Sequence, residues 1–188
     1  MRKVLPFIIL IAFISGCAKD EHWGQKLDIK GKWWKKEGHS WEPKDKIFMA
    51  IGYSNPDWKE KFDARKSADL NARSEVASFM QSLVKNYMKE VRARHYAISQ
   101  STVENSSKET LLGAVIVARH YAKKQYQSLI KVDLNYFFEQ IYDKYESSVA
   151  DKGNVDARIK AKTEEAIVKM KEMENSIVEK TISDGGAQ

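Results

Sequence analysis

A short continuous run of hydrophobic residues extends from Ile47 to Tyr53, between Lys46 and a turn-forming Ser-Asn-Pro triplet. A continuous apolar run of this length between turn residues predicts a buried β-strand. Gly52 lies inside the run, and a glycine within a strand indicates a bulge or the close approach of another backbone. We therefore expect a buried strand with a second element packed tightly against its end.

A helical pattern follows, from about Asp57 or Lys61 to Arg94. Apolar positions recur every three or four residues and define one helical face. The members of this stripe are Ala64, Ala68, Ala72, Val76, Phe79, Leu83, Tyr87 and Val91. Because the first half of the stripe is alanine, we expect that end to approach a sheet closely, whereas the bulky second half should fill the core.

Two further apolar segments, Leu111 to Tyr121 and Tyr126 to Leu134, are joined by Ala122 to Gln125. The second segment alternates apolar and polar positions, so the pair predicts an antiparallel hairpin with one solvated face. The preceding stretch, His95 to Thr110, is polar. We expect a short helix or an irregular excursion there, with a loop or helix break at Glu104 to Ser107.

Two helices are predicted in the C-terminal part, from about Asn135 to Ser148 and from about Val155 to Thr181, followed by a frayed tail from Ser183 to Gln188. The last helix carries an apolar seam with heptad-like spacings of four and three residues. The seam consists of Ile159, Thr163, Ala166, Met170, Met173 and Ile177. Docking on the same domain, a partner helix and self-association all remain open for it.

These elements predict an α+β fold, in which a small antiparallel sheet packs against a long alanine-rich helix with an extra C-terminal helix. The predicted organisation is a leader (1–16), a tether rich in Trp and Lys (17–44), an α+β domain (45–150) and a charged C-terminal helix with a tail (151–188). Without the leader, 188 − 16 = 172 residues remain, which suits one domain with some extra length.

The charge balance is mildly positive. The formal net charge of +6 becomes +4 without the leader, because only Arg2 and Lys3 leave with it. A small excess spread along the chain does not favour nucleic acid as a partner, whereas a mild attraction to anionic lipid headgroups fits it better.

Cys17, the only cysteine, ends the hydrophobic leader. The apolar run from Val4 to Ile14 is about 11 residues long, too short to span a bilayer but suited to the core of a signal peptide. The Ile-Ser-Gly-Cys sequence that ends at Cys17 resembles the lipobox of bacterial lipoproteins. The resemblance implies a diacylglyceryl group on the Cys17 thiol, cleavage before Cys17 and acylation of the new amine by a chain such as palmitate. Ala18 is not the aspartate associated with inner-membrane retention, so an outer-membrane location on the periplasmic side is implied.

Four of the five tryptophans lie in the predicted tether, interleaved with lysines: Trp23, Trp33, Trp34 and Trp41. Tryptophan and lysine together favour a membrane–water interface. Stacking on sugars or peptidoglycan is a second interpretation. The third is that some of these rings fold back onto the domain.

A family resemblance rests on the apolar strand with Gly52, the alanine-rich helix, a strand opening at Gly113 and an alternating strand ending at Val132-Asp133. The alanines concerned are Ala64, Ala68, Ala72 and Ala77. Together with the lipobox, this pattern resembles the Lpp-twenty family of small bacterial outer-membrane lipoproteins, whose domain is similar to the N-terminal domain of a flagellar H-ring protein. The resemblance covers about residues 45–150 and implies an α+β envelope lipoprotein, in some members associated with flagellar basal structures. The pattern includes no catalytic residues, so it assigns none here.

Motifs for catalysis or metal binding are not found in the sequence. The histidines His22, His39, His95 and His120 are isolated, and neither a metal-spaced cluster nor a phosphate-binding loop is present. The sequence therefore predicts a protein that is not an enzyme and has no cofactor apart from the covalent lipid. Two hypotheses remain: an assembly lipoprotein that contacts envelope proteins or itself, and a lipoprotein that binds lipid, sugar or peptidoglycan.

Overall fold

A computed structural model describes Trp33 and residues 39–55, 60–122, 124–150 and 157–185. Within these residues, pairs of strands and pairs of helices follow one another along the chain. In chain order they are β1 (His39–Glu42), β2 (Ile47–Tyr53), α1 (Lys61–Ala93), α2 (Gln100–Leu112), β3 (Val115–Ala122), β4 (Gln125–Asp133), α3 (Leu134–Ala150) and α4 (Ala157–Gly185). Cys17 and the predicted leader (1–16) lie outside the described residues.

The strands form one antiparallel sheet in the order β1-β2-β4-β3, and the long helix α1 packs against it, which confirms the predicted α+β fold. The apolar strand has the predicted bounds, and the hairpin is β3–β4. β1 was not predicted, since its four residues lie inside the segment interpreted as a tether. β1 is an edge strand that pairs with β2, with Trp41 opposite Phe48. Its four residues are too few to show a recognisable alternation of apolar and polar positions in the sequence.

The alanine half of α1 lies directly on the sheet. Ala64, Ala68 and Ala72 are fully or almost fully buried. A Cβ atom added to Gly52 of β2 would overlap the backbone nitrogen of Ala72 and the backbone oxygen of Ala68. The close approach predicted from Gly52 is therefore present, and its partner is the alanine face of α1.

The second half of α1 is surrounded by bulkier layers. Phe79 stacks on Phe48 of β2, and Tyr87 contacts the rings of Phe137 and Phe138 in α3. α4 packs across this half of α1 and places Met170, Met173 and Ile177 of its seam in the core. The seam thus docks on its own domain, except for Ile159, which is 42% exposed.

The predicted break at Glu104 to Ser107 is wrong, because α2 runs through it. Ser99 caps the helix by accepting a hydrogen bond from the Thr102 backbone N–H at 3.1 Å. The buried face of α2 is largely hydroxylic, and Ser106 and Thr110 donate to the carbonyl oxygens four residues earlier. Because these hydroxyls form their hydrogen bonds with backbone carbonyls of the same helix, a polar sequence can form a buried face.

Several predicted ends also shift. Leu111 and Leu112 belong to α2 rather than to a strand, Leu134 begins α3, and α4 continues through Ser183 to Gly185, where a frayed tail was predicted. The expected solvated face of the hairpin is wrong over part of the sheet. Ile51, Val117, Ala118 and Leu129 form a second apolar cluster there, and Trp33 covers it.

Candidate functional site

The predicted site residues fall into two groups. Cys17, Trp23 and Trp34 lie outside the described residues. Trp33 is 7% exposed and packs on the second face of the sheet, with its ring edge-on to His120 at 6.5 Å between centroids. Trp41 is half-buried against the main core. For Trp33 and Trp41 the structure therefore agrees with the interpretation that the rings fold back onto the domain.

A large groove lies between the second half of α1 and α2. Its volume is about 680 Å³, and it is a half-open cleft rather than an enclosed cavity. Val84, Met88 and Leu111 contribute apolar surface to its floor. α2 returns alongside α1 after a short turn, so that Arg92 and Gln100 meet at one end, where the Arg92 guanidinium donates to Gln100 Oε1 at 3.0 Å.

The rim of this groove is basic. Lys85, Lys89 and Arg92 of α1 and Lys108 of α2 line it, and all four side chains are exposed. Among the described residues that line the groove, Glu104 is the one carboxylate, and it accepts a hydrogen bond from Gln100 Nε2 at 2.7 Å. An apolar floor between cationic edges can hold an amphipathic ligand that carries negative charge.

A buried polar cluster fixes α4 to the rest of the domain. Glu174 of α4 is 1% exposed, forms an ion pair with Lys46 in the β1–β2 turn, and accepts a hydrogen bond from the Tyr142 hydroxyl of α3. The Tyr87 hydroxyl donates to Met170 Sδ at 3.6 Å. Burial and nearby ionisable groups, the Glu174 carboxylate among them, raise the pKa of Tyr87 and Tyr142 well above the usual tyrosine value, so both remain donors.

A second polar cluster joins α1 to the hairpin. Arg119 of β3 donates to both carboxylate oxygens of Asp69, at 2.9 and 2.8 Å, and the Ser128 hydroxyl of β4 donates to Asp69 Oδ1 at 2.6 Å. Burial alone would raise the pKa of Asp69. The hydrogen bonds from Arg119 and Ser128 and the positive charges of Arg119 and Arg65 outweigh it and lower the pKa below the usual value. This bidentate arrangement is a structural tie between two layers.

The described histidines do not meet one another at a common site. His39 Nε2 lies 3.3 Å from Glu75 Oε2, His95 lies in the turn after α1, and His120 is buried beneath Trp33. Among the described residues, no group of three or more His, Cys, Asp or Glu side chains is placed to hold a metal ion. The helices described in the structure include none that is both long and apolar enough to cross a bilayer.

Comparison with known proteins gives no family model, no curated protein and no solved structure that matches this chain significantly. The resemblance to the Lpp-twenty family therefore stays a prediction from the sequence.

The groove was not predicted from the sequence. The segment that forms its α2 wall was interpreted as partly loop. On the α1 wall, Val84 and Met88 lie beside the predicted apolar stripe rather than in it. The sequence feature that could have indicated the groove is the row Lys85, Lys89 and Arg92, whose spacings of four and three residues place them on one face of the helix. A cationic row beside apolar positions that lie outside the main buried stripe of a helix indicates a contact surface.

Proposed function

We propose that this chain is a membrane-anchored bacterial envelope lipoprotein with a non-catalytic assembly role, exercised through protein–protein contacts. The single structural observation that supports such contacts is the half-open groove between α1 and α2, with its apolar floor and basic rim. The anchor rests on the sequence around Cys17, and the resemblance to outer-membrane lipoproteins supports that location.

The heptad-like seam of α4 is not the contact surface in this proposal, since most of it is buried against its own domain. The two edge strands of the sheet, β1 and β3, also offer little for pairing with another chain. β1 has four residues, whereas β3 has eight and carries an irregularity at Val117, a feature that discourages edge-to-edge pairing. The groove is therefore the better candidate for an envelope protein partner or for a second copy of the chain.

The proposed anchor is consistent with the energetics of lipidation. Each buried methylene contributes roughly 0.8 kcal/mol, and a single myristoyl chain binds only marginally and reversibly. Two or three acyl chains on Cys17 would hold the protein at the membrane for its lifetime. The groove would then meet its partner within a thin layer next to the bilayer.

A second candidate function is the binding of lipid, sugar or peptidoglycan. The volume of the groove, about 680 Å³, is in the range of pockets that take small ligands. The burial of Trp33 weakens the version of this hypothesis in which the tether tryptophans stack on a ligand.

The anchor is tested by replacing Cys17 with alanine. We expect Cys17→Ala to leave an uncut or mislocalised precursor that takes up no labelled palmitate. Gly16→Ala is the matched control, since it keeps a small residue before the cysteine and should still be labelled. Absence of lipid label on the unmodified chain, with the same membrane fractionation for both chains, would refute the anchor.

The assembly role is tested by crosslinking in intact cells. The proposal expects a protein adduct, either a homo-oligomer or a complex with another envelope protein. A chain that stays monomeric and is pulled down saturably by purified peptidoglycan or by lipid would refute the assembly role and support the second candidate.

A further inference from the structure

The cations of the groove follow its length instead of gathering at one end. Lys85, Lys89 and Arg92 lie at successive turns on one edge of α1, over roughly 10 Å of helix axis. Lys108 lies on the α2 side of the groove. A ligand that uses all of these charges needs several anionic groups, spaced by about one helical turn.

The floor has a matching helical repeat. Val84 and Met88 are four residues apart on α1, and Leu111 contributes from α2. Met88 is a flexible and polarisable side chain that adapts to different apolar partners. The lining from Gln81 to Arg92 extends over ~16 Å, about three turns of a partner helix.

We propose that the groove between α1 and α2 binds an acidic amphipathic helix of a partner protein. The apolar face of that helix lies on Val84, Met88 and Leu111, as in other helix-in-groove complexes. Its Glu or Asp side chains, at spacings of three and four residues, pair with Lys85, Lys89 and Arg92. This inference rests on the assembly role proposed above and names the class of partner.

Other occupants fit the groove less well. A fatty acid carries a single carboxylate at one end, so it would leave most of the cationic row without a partner. A half-open groove would also leave one side of an acyl chain in water, whereas an amphipathic helix keeps its polar face solvated. A flat bilayer surface cannot enter a concave cleft to reach Met88, which is 6% exposed.

The test uses fluorescent peptides of about 14 residues, or four turns. Three acidic amphipathic peptides differ in the spacing of their apolar anchors, and each has a matched peptide with lysine in place of every acidic residue. The purified full chain is assayed by fluorescence anisotropy, in phosphatidylcholine nanodiscs if it copurifies with membranes and in buffer if it does not. A failure of the proposed anchor therefore does not affect this measurement.

We expect at least one acidic peptide to bind saturably and at least about tenfold more tightly than its basic counterpart. The double substitution Lys85→Glu with Lys89→Glu should remove that preference or reverse it. Lys66→Glu with Lys160→Glu is the matched control, because it changes the same charge at exposed positions outside the groove lining and should keep the preference. Raising the salt concentration should reduce the difference between the peptides, since the paired charges are exposed.

Three results would overturn the inference: binding by none of the acidic peptides, equal binding of acidic and basic peptides, or equal affinity in the groove variant and the unmodified chain. Displacement of the acidic peptide by palmitate, or by nanodiscs containing phosphatidylglycerol, would also overturn it and assign the groove to a lipid. Circular dichroism of both double variants shows whether the fold is kept, and exposed substitutions of this kind usually change stability little.

Discussion

The two halves of α1 have the same helical periodicity and opposite kinds of packing. The first half presents Ala64, Ala68 and Ala72, and its backbone lies against Gly52 of the sheet with almost no side chain between them. The second half presents bulkier residues from Val76 to Val91, needs α2, α3 and α4 to cover it, and is bordered by a groove. Side-chain volume along one stripe therefore decides where α1 lies tightly against the sheet and where a groove remains open beside it.

Gly52→Ala is the most severe test of the first half of α1, the tight half, which lies directly on the sheet. The added methyl would collide with the backbone of α1 rather than with a movable side chain, so we expect a loss of at least about 3 kcal/mol in the free energy of unfolding, or failure to fold. Urea unfolding of the purified chain measures the loss.

Gly113→Ala is the matched control. A Cβ at Gly113 would lie 3.4 Å from the Thr110 carbonyl oxygen, and the backbone there is in the right-handed helical region, so an ordinary side chain is accommodated. We expect a change within about 0.5 kcal/mol. Equal losses for the two variants would show that close packing of α1 on Gly52 is not the cause.

Glu174→Ala tests the second half of α1, the wide half, which α4 covers. Glu174 holds α4 in place through its contacts with Lys46 and Tyr142. Removing one partner of a fully buried ion pair costs roughly 3–5 kcal/mol. Lys46 is 27% exposed and can turn to water, so we expect a smaller loss of about 2 to 3 kcal/mol in the free energy of unfolding. Glu174→Gln keeps the shape and an acceptor for Tyr142, and it should lose less. An unfolding transition unchanged by Glu174→Ala would contradict this account of how α4 is held.

Asp69→Asn tests the polar tie of the tight half, and its effect depends on pH. The folded-state pKa of Asp69 is lowered, so its carboxylate stabilises the fold above the ordinary aspartate pKa of about 4. That stabilisation is lost as the pH falls through the lower folded-state value. At neutral pH we expect a loss of about 1 to 2 kcal/mol, because the hydrogen bonds from Arg119 and Ser128 lose their charged acceptor.

Thermal or urea unfolding of the unmodified chain and of Asp69→Asn, from pH 7 into the acid range, provides the measurement. The gap in stability between the two should narrow as the pH falls. Asp143→Asn, at an exposed position of α3, is the control and should follow the unmodified chain at neutral pH. A gap that stays constant down to the lowest pH would show that the Asp69 charge contributes nothing.

The tight half of α1 could be read from the sequence, and the wide half only in part. An alanine stripe facing a strand with Gly52 has one simple packing solution, which is a close contact. The packing around the wide half depends on contacts between residues far apart in the sequence: which helix contacts the α4 seam, and how Glu174 comes to pair with Lys46 more than a hundred residues away. The position of Trp33 on the second face of the sheet is a long-range contact of the same kind. None of these leaves a local pattern. The serines and threonines of α2 led to the wrong prediction of a loop or helix break. Their hydroxyls form hydrogen bonds within the helix, and α2 packs against α1 and α3 with these small groups buried.

The smallest expected effect concerns His95, in the turn that closes the wide half and leads into α2. His95 has a φ of 62°, and the Tyr96 N–H donates to the Val91 carbonyl oxygen at 3.0 Å, a helix ending in which glycine usually holds the left-handed position. His95→Gly should relieve the side-chain cost of that conformation and raise the free energy of unfolding by up to about 1 kcal/mol, with part of the gain offset by the greater freedom of glycine in the unfolded chain. Glycine can adopt the same backbone conformation, so the turn should still place Arg92 beside Gln100, and this variant should keep the proposed preference of the groove for acidic peptides. A lower free energy of unfolding would show that the His95 ring, whose Nδ1 lies 3.2 Å from the Arg92 carbonyl oxygen, stabilises the turn by more than the backbone strain costs.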